Sequence, residues 1–192
     1  MSKVKKKYSS KTGLLPGDLT QEQLIERMIR VDQAGEYGAV RIYEGQLSIL
    51  AGSDNAPVIK HMLDQEIEHL ETFSEILKKR RVRPTALMPL WHLAGFALGA
   101  GTALMGKKAA MACTVAVEEV IDEHYAAQVE KLECMGNDEK DLKNTCERFR
   151  GEELEHRKIG LEHGAEQTPG YEALSALVKT GSRMAIWLSE RI

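Results

Sequence analysis

The chain has 192 residues, which suits one domain with its own core and excludes two large domains. Its 26 Lys and Arg against 29 Asp and Glu give a net charge of −3, which argues against a nucleic-acid partner. At 43% hydrophobic and 29% charged residues, the composition excludes both a disordered chain and a polytopic membrane protein.

The N-terminal region is basic. It carries Lys3, Lys5, Lys6, Lys7 and Lys11, but no apolar stretch of the kind that a secretory signal contains. We therefore predict a flexible basic N-terminus over 1–19 and a single domain over 20–192. Three cysteines without a CxxC spacing favour a reducing compartment and argue against a thiolate metal site.

Apolar residues recur at steps of three and four along most of the chain, which predicts an all-α protein. Thr20 and Gln23 have capping-box spacing and predict a first helix over about 20–50. Pro57 suits the first turn of a second helix, which is expected to continue until Pro84. Residues 84–106 contain no Asp, Glu, Lys or Arg, and they form an additional apolar segment between the second and third helices.

The second half of the chain predicts three more helices. The third runs from about Lys107 to Met135, and the fourth is capped by Asn137 or Asp138 and ends near Gly164. A turn over 168–170 then precedes a C-terminal amphipathic helix. Its apolar series is Leu174, Leu177, Val178, Met184 and Leu188.

Two ExxH motifs indicate metal chemistry. Glu66 with His69, and Glu153 with His156, each place a carboxylate and an imidazole side by side on one helix face. Each pair alone is a weak signal, since surface glutamates and hydrogen-bonded core histidines are common. Both pairs, however, interrupt the apolar stripe of their helix, so they are predicted to point inward.

Two further carboxylates fall on inward-facing positions of the remaining helices. Glu36 lies between the apolar Ile29 and Val40, and Glu118 lies between Val115 and Ile121. The order Glu then ExxH therefore occurs twice, which predicts two related helix hairpins. Buried carboxylates need cations, and this set matches the ligands that four-helix di-iron proteins use. The predicted ligands of two iron or manganese ions are Glu36, Glu66, His69, Glu118, Glu153 and His156.

Several stretches resemble the demethoxyubiquinone hydroxylase family, the Coq7 type of ubiquinone biosynthesis enzyme. The resemblance is carried by 30–43, 81–91, 97–104, 110–119 and 152–156, and it extends from about residue 22 to the end of the chain. It implies a ferritin-like fold in which the same six residues bind two iron ions. The family's usual His-Ala-Gly-Glu element reads Gln33, Ala34, Gly35 and Glu36 here, which leaves the ligand itself in place.

The resemblance also implies an activity. It implies a monooxygenase that hydroxylates the ring of 5-demethoxyubiquinone, a polyprenyl benzoquinone, with O2 and a reductant. NADH is the electron donor that the resemblance implies, although the chain has no GxGxxG dinucleotide-binding motif. Alternatives are a ferritin-like iron-binding or peroxide-scavenging protein and a metal-free helical lipid-binding or scaffold protein.

A polyprenyl quinone must be taken from a membrane, which gives the uncharged segment a candidate role. It could span the bilayer, form a wholly buried hairpin or, as we favour, insert partly into one leaflet as a substrate entrance. We expect a peripheral protein on the cytoplasmic face of the bacterial inner membrane or, alternatively, on the matrix side of the mitochondrial inner membrane. The resemblance also implies a Coq9-type lipid-binding partner, and a homo-oligomer is a further hypothesis.

Four other side chains are candidates for supporting roles. Tyr125 lies two helical turns after Glu118, with His124 beside it, and the two are predicted to form a proton or redox relay. An ordinary buried tyrosine is the alternative. Asp32, one turn before Glu36, is a hypothetical partner of a ligand imidazole. His163, two turns beyond His156, is a hypothetical substrate-side residue.

Overall fold

The structure is a computed structural model that describes residues 17–192. Residues 1–16, and with them most of the predicted basic N-terminus, lie outside the described residues, so that prediction stays untested. The described chain is helical and contains no strand, which confirms the all-α class. The helices are α1 (Gln21–Leu50), α2 (Ala56–Lys79), α3 (Met88–Leu104), α4 (Lys107–Met135), α5 (Lys140–Glu162) and α6 (Tyr171–Ser189).

Local chemistry explains where α1 begins and where α2 ends. The Thr20 hydroxyl accepts from the Gln23 backbone N–H, and the Gln23 side chain accepts from the Thr20 N–H, as the capping box predicts. The prediction that the second helix reaches Pro84 was wrong. The chain leaves the helix at Arg81, whose φ of 55° is left-handed, after the Arg80 N–H has bonded the Ile76 carbonyl.

The start of α5 also differs from the prediction. Neither Asn137 nor Asp138 caps a helix with its side chain, because 137–139 form a short 3-10 turn and α5 begins only at Lys140. The Glu139 side chain instead forms an ion pair with Arg80, at 2.7 Å, which ties this turn to the end of α2.

Two apolar clusters fill the space between α1, α2, α4 and α5. One contains Ile29, Phe73 and Leu132, and the other contains Ile59 and Met111. Along each of these four helices the predicted metal ligands lie between the two clusters. The order of the clusters along each helix shows that α1 and α5 run in one direction and that α2 and α4 run in the other. The core therefore isolates the polar centre from water at both ends.

The uncharged segment forms α3, a helix that packs closely along α1. A Cβ atom added at Gly99 would collide with the Ile42 carbonyl oxygen, and one at Gly45 would collide with the Phe96 carbonyl oxygen. These glycines allow the two backbones to touch. The segment is not wholly buried, because Leu93 and Leu104 are 69% and 73% exposed, so the buried-hairpin interpretation was wrong.

Gly99→Ala is expected to destabilise the protein by roughly 1–3 kcal/mol, because the added methyl group must push α3 away from α1. Gly101→Ala is the matched control, since that position is on the same helix with nothing within 4 Å of the added Cβ. The control should be neutral or stabilised by up to about 1 kcal/mol through helix propensity. Urea unfolding of both variants measures the difference, and equal midpoints would contradict the close packing.

The C-terminal helix was predicted to be amphipathic, and the apolar series of α6 is buried only in part. Val178 is buried, whereas Leu177 and Met184 are 71% and 58% exposed. Trp91 of α3 donates to the Ser189 hydroxyl at 3.0 Å and thereby joins α3 to the end of α6. Within residues 17–192, none of the helices is both long and apolar enough to cross a membrane.

Candidate metal centre

The structure brings all six predicted ligands together. Their ligand atoms form two groups, within each of which the atoms lie within 4.8 Å of one another. Glu66 and Glu153 belong to both groups, so their carboxylates lie between the two positions. One group is Glu36, Glu66, His69 and Glu153, and the other is Glu66, Glu118, Glu153 and His156.

Helical periodicity and burial explain how the six converge. Glu and His at ExxH spacing lie on one face of α2 and of α5, and α1 and α4 each add one glutamate. All six side chains are buried. The Nδ1 atom of His69 lies 3.1 Å from Glu153 and 3.5 Å from Glu36, and the Nδ1 atom of His156 lies 3.2 Å from Glu66.

Burial disfavours the charged form of two of these carboxylates. Burial and the charges of the neighbouring glutamates hold the pKa of Glu66 well above its usual range. The pKa of Glu118 is raised in the same way, despite the hydrogen bond that its carboxylate accepts from Tyr43. Neither oxygen of Glu66 has a hydrogen-bond partner among residues 17–192. A buried carboxyl that lacks a hydrogen bond, at the middle of a polar cluster, is a group that a cation would satisfy.

For the two histidines and Glu153, the neighbouring groups favour the charged form. Burial alone would lower the pKa of His69, but hydrogen bonds and charges from Glu153 and Glu36 outweigh it and raise the pKa to about 12. Burial would raise the pKa of Glu153, yet hydrogen bonds from His156 and His69 lower it to about 2. Without metal, protons on the imidazoles therefore neutralise part of the carboxylate charge.

The donor set fits two divalent cations. Two such ions would balance the charge of the four carboxylates in the two groups and would replace the protons. Oxygen and imidazole donors suit iron or manganese. Cysteines do not contribute: Cys113, Cys134 and Cys146 are free and belong to neither group.

Two buried tyrosines donate to the outer carboxylates. The Tyr125 hydroxyl donates to Glu36 of α1 rather than to Glu118 on its own helix. The Tyr43 hydroxyl donates to Glu118 at 2.8 Å. Tyr43 was not predicted as a site residue, although it follows Glu36 by seven residues, as Tyr125 follows Glu118. That shared spacing was a usable signal.

The outer nitrogens of both histidines also have partners that were not predicted. His69 Nε2 lies 2.6 Å from a carboxylate oxygen of Glu152, and His156 Nε2 lies 3.0 Å from the Gln65 amide oxygen. The Glu152 carboxylate can only accept a hydrogen bond, so it keeps a proton on His69 Nε2 and leaves Nδ1 as the nitrogen that would bind a metal. The identity of these partners was not evident from the sequence, because each reaches across to a different helix.

The supporting roles predicted for Asp32 and His163 are not reflected in their contacts. Asp32 was predicted to orient a ligand imidazole, but its hydrogen-bond partners among residues 17–192 are His124, at 3.2 Å, and Gln128, at 2.7 Å. His163 lies just beyond the end of α5, where its Nδ1 atom is 2.9 Å from the Ile159 carbonyl oxygen. Gln33, the departure from the family's motif, is in neither group of ligands.

An apolar cavity of about 380 Å³ adjoins the helices that carry Glu36 and Glu118, and none of the six ligands lines it. Its walls come from α1, α3, α4 and α6, and they include Gly35 and Val117, the chain neighbours of Glu36 and Glu118. The exposed Leu177 and Met184 also line it, so the cavity opens toward the apolar edge of α6. Its size suits a ring with a short apolar tail.

A helical protein with two carboxylate–imidazole groups between its helices falls in the class of candidate dinuclear metal proteins. The comparison with known families then identifies it further. The family described as "Ubiquinone biosynthesis protein COQ7" matches residues 23–189, and the chain belongs to this family of hydroxylases. The assignment made from the sequence motifs is confirmed.

Three relatives illustrate the family. The chain is 58% identical to a 3-demethoxyubiquinol 3-hydroxylase of Rhodospirillum rubrum, over 93% of this chain and 83% of the relative. It is 54% identical to the mitochondrial NADPH-dependent 3-demethoxyubiquinone 3-hydroxylase of Homo sapiens, over 88% and 78% of the two chains. It is 45% identical to the mitochondrial 5-demethoxyubiquinone hydroxylase of Saccharomyces cerevisiae, over 90% and 80%. The name of the Homo sapiens relative specifies NADPH, whereas the resemblance implied NADH.

Proposed function

We propose that this chain hydroxylates the ring of 5-demethoxyubiquinone with O2 and a reductant at a di-iron centre. The observation that carries the proposal is the presence of the two carboxylate–imidazole groups and of an apolar cavity among α1, α3, α4 and α6, in a chain whose relatives are named for this reaction. A ferritin-like bundle of α1, α2, α4 and α5, with α3 and α6 as additions, is the arrangement that we infer for the family fold.

Two iron ions would be held by Glu36, Glu66, His69, Glu118, Glu153 and His156. When bound, they would supply the O2 chemistry and the electron transfer that the side chains cannot provide. The side chains around the ligands would orient the ligand carboxylates. Tyr43 and Tyr125 hold Glu118 and Glu36 in place, and their phenols stay protonated because burial and the nearby carboxylates raise the pKa of both.

The cavity would position the quinone ring. Its apolar lining matches a methylated ring with a polyprenyl tail. Iron storage does not require such a cavity, because apolar side chains do not bind a ferrous ion. This cavity therefore favours the hydroxylase over the ferritin-like or peroxide-scavenging alternative. The electron donor is proposed to be NADH or NADPH, acting without a dedicated nucleotide-binding domain.

The test is an assay of purified protein loaded with ferrous iron. A short-chain demethoxyquinone, O2 and either nicotinamide are supplied, and the product is analysed by mass spectrometry. A product that has gained one oxygen atom supports the hydroxylase. Oxidation of iron without hydroxylated product supports iron storage, and a protein that takes up no iron supports the metal-free lipid-binding alternative.

Tyr125→Phe is expected to lower turnover at least tenfold more than Tyr43→Phe, if Tyr125 and His124 form a relay. Tyr125 adjoins His124, with the ring centroids 6.3 Å apart, and the His124 side chain is 17% exposed and bonds Asp32. Tyr43 bonds Glu118 and otherwise contacts the Met62 sulfur, at 3.8 Å. Steady-state turnover measures the difference, with iron content as the check on the centre. Equal losses would contradict the relay.

Membrane association is proposed to occur through the exposed apolar face of α3 and α6. Leu93 and Leu104 of α3 are exposed apolar side chains, and Trp187 of α6 is 53% exposed. Partial insertion of this face would let the quinone reach the cavity without crossing water. The proposed location is a peripheral one on the bacterial inner membrane, or on the mitochondrial inner membrane.

The variant Leu93→Ser/Leu104→Ser is expected to reduce binding to phospholipid vesicles at least tenfold, because each leucine loses about 2 kcal/mol of transfer free energy. Vesicle flotation measures the bound fraction. Ile67→Ser/Leu154→Ser is the control, since these leucine-sized side chains are 38% and 40% exposed on α2 and α5. Equal binding by the two variants would exclude the α3 face. The same face is available for a Coq9-type partner or a second copy, which we retain as proposals.

A further inference from the structure

The candidate centre has an approximate twofold relationship that extends to the tyrosines. Tyr43 follows Glu36 by seven residues and donates to Glu118, whereas Tyr125 follows Glu118 by seven residues and donates to Glu36. Each metal group contains three carboxylates and one imidazole. The ligands and their tyrosine partners therefore do not distinguish one metal position from the other.

The two positions differ at the outer nitrogens of the histidines. The residue that precedes each ExxH motif reaches the histidine of the other motif. Glu152 lies 2.6 Å from His69 Nε2, and Gln65 lies 3.0 Å from His156 Nε2. The same place in the two halves thus holds a carboxylate in one case and a neutral amide in the other.

This difference acts on the tautomers. An ionised carboxylate only accepts hydrogen bonds, so Glu152 keeps a proton on His69 Nε2, and the proton that a metal would displace is the one on Nδ1. The amide of Gln65 can accept or, after rotation, donate, so it permits either tautomer of His156. A carboxylate partner also makes the imidazole a stronger ligand than an amide partner does.

Glu152 is itself held in place by surface contacts. Its second oxygen lies 3.5 Å from Arg148, which donates to Glu68 of α2 at 2.8 Å. The neighbouring Phe149 ring stacks on His69, with the ring centroids 3.9 Å apart. The His69 imidazole is therefore held in direction, with Nε2 toward Glu152 and Nδ1 toward the ligand carboxylates.

We propose that Glu152 is a positioning residue that makes the two metal positions unequal, so that the first divalent ion binds at the position that contains His69. The inference rests on the proposed dinuclear centre. The two ions would then bind in a fixed order, and the cause of that order is the charge of Glu152, which is not itself a ligand.

The experiment is an anaerobic calorimetric titration of the metal-free full-length chain with ferrous iron. The first ion is expected to bind at least tenfold more tightly than the second. Glu152→Gln should weaken the first step by roughly ten- to a hundredfold, so that the two steps merge. Gln65→Glu should instead strengthen the second step, and the Mössbauer spectrum after one equivalent of iron should then change from one dominant site to two.

Matched variants decide the assignment. His156→Ala should retain the tight step, whereas His69→Ala should lose it. Glu155→Gln removes the same charge from an exposed position of α5 and should leave both steps unchanged. Circular dichroism of each metal-free variant verifies the fold. Two equal steps in the unmodified protein, or an unaltered tight step in Glu152→Gln, would overturn this proposal alone, whereas no uptake of iron would overturn the proposed function with it.

Discussion

Glu66→Gln is expected to leave the protein folded but unable to hold two metal ions, with hydroxylation reduced roughly a thousandfold. Glu66 belongs to both ligand groups, so its carboxylate would serve either metal ion. An amide has no negative charge and only one oxygen, and it cannot replace such a carboxylate. Elemental analysis should find less than half of the iron that the unmodified protein binds.

The fold should survive this change because of the raised pKa of Glu66. Burial and the neighbouring carboxylates raise the pKa of Glu66 and so favour its protonated form in the metal-free protein, and a neutral amide of similar shape mimics that form. The thermal midpoint of metal-free Glu66→Gln at pH 8 should be unchanged or higher. Glu71→Gln, at an exposed position of α2, is the control and should keep iron and turnover. A Glu66→Gln protein with full iron content and full turnover would contradict this role of Glu66.

The metal-free protein is expected to lose stability as the pH rises from about 5 to 9. The pKa values of Glu66 and Glu118 are raised in the folded state, so their contribution is complete below the unfolded pKa and is lost as the pH rises through the folded values. His69, whose pKa rises from 6.5 to about 12, acts with the same sign above pH 6.5. Glu153, lowered to about 2, affects stability only below about pH 4.5. Above about pH 4.5, none of these four groups makes the folded state more stable as the pH rises.

The expected slope is about 1.4 kcal/mol per pH unit for each proton that the folded state retains and the unfolded state releases. Thermal unfolding followed by circular dichroism, in buffers with a chelator, measures this trend. The double variant Glu66→Gln/Glu118→Gln removes two of the titrating groups and should show a shallower slope. A metal-free protein whose stability rose between pH 5 and 9 would contradict the protonation of the buried centre.

Ferrous iron should oppose this loss of stability at higher pH. Metal binding displaces protons from the carboxyl and imidazolium groups, so the affinity for metal increases with pH. The difference in thermal midpoint between the iron-loaded and the metal-free protein should therefore widen from pH 5 to pH 8. Addition of Mg²⁺ at the same concentration is the control, because Mg²⁺ dehydrates reluctantly and is a poor match for imidazole ligands.

The helices and the inward direction of the ligands were predictable because both depend on local periodicity. A residue between Ile29 and Val40 at helical spacing must face the same side as those two residues, so the inward direction of Glu36 follows from helical spacing alone. The capping box at Thr20 is equally local. Glu66 and Glu153 could be assigned for the same reason, since each lies three residues before its histidine.

Other features depend on contacts between distant parts of the chain. The helical state of 88–104 was not predicted, because this segment lacks the alternation of polar and apolar residues that marks a surface helix. Its position is set instead by the fit of Gly99 against Ile42 on another helix. The early end of α2 likewise depends on the backbone conformation at Arg81, for which the sequence offers no glycine signal.

By itself, the sequence determined the all-α class, five of the six helices, the six candidate ligands and the family. These features follow from helical periodicity and from short motifs, which depend on residues close together in the sequence. Only the tertiary structure decided which side chain bonds which ligand. Tyr125 bonds Glu36 and Glu152 bonds His69, each across two helices, because hydrogen bonds depend on distances of about 3 Å between residues far apart in the chain.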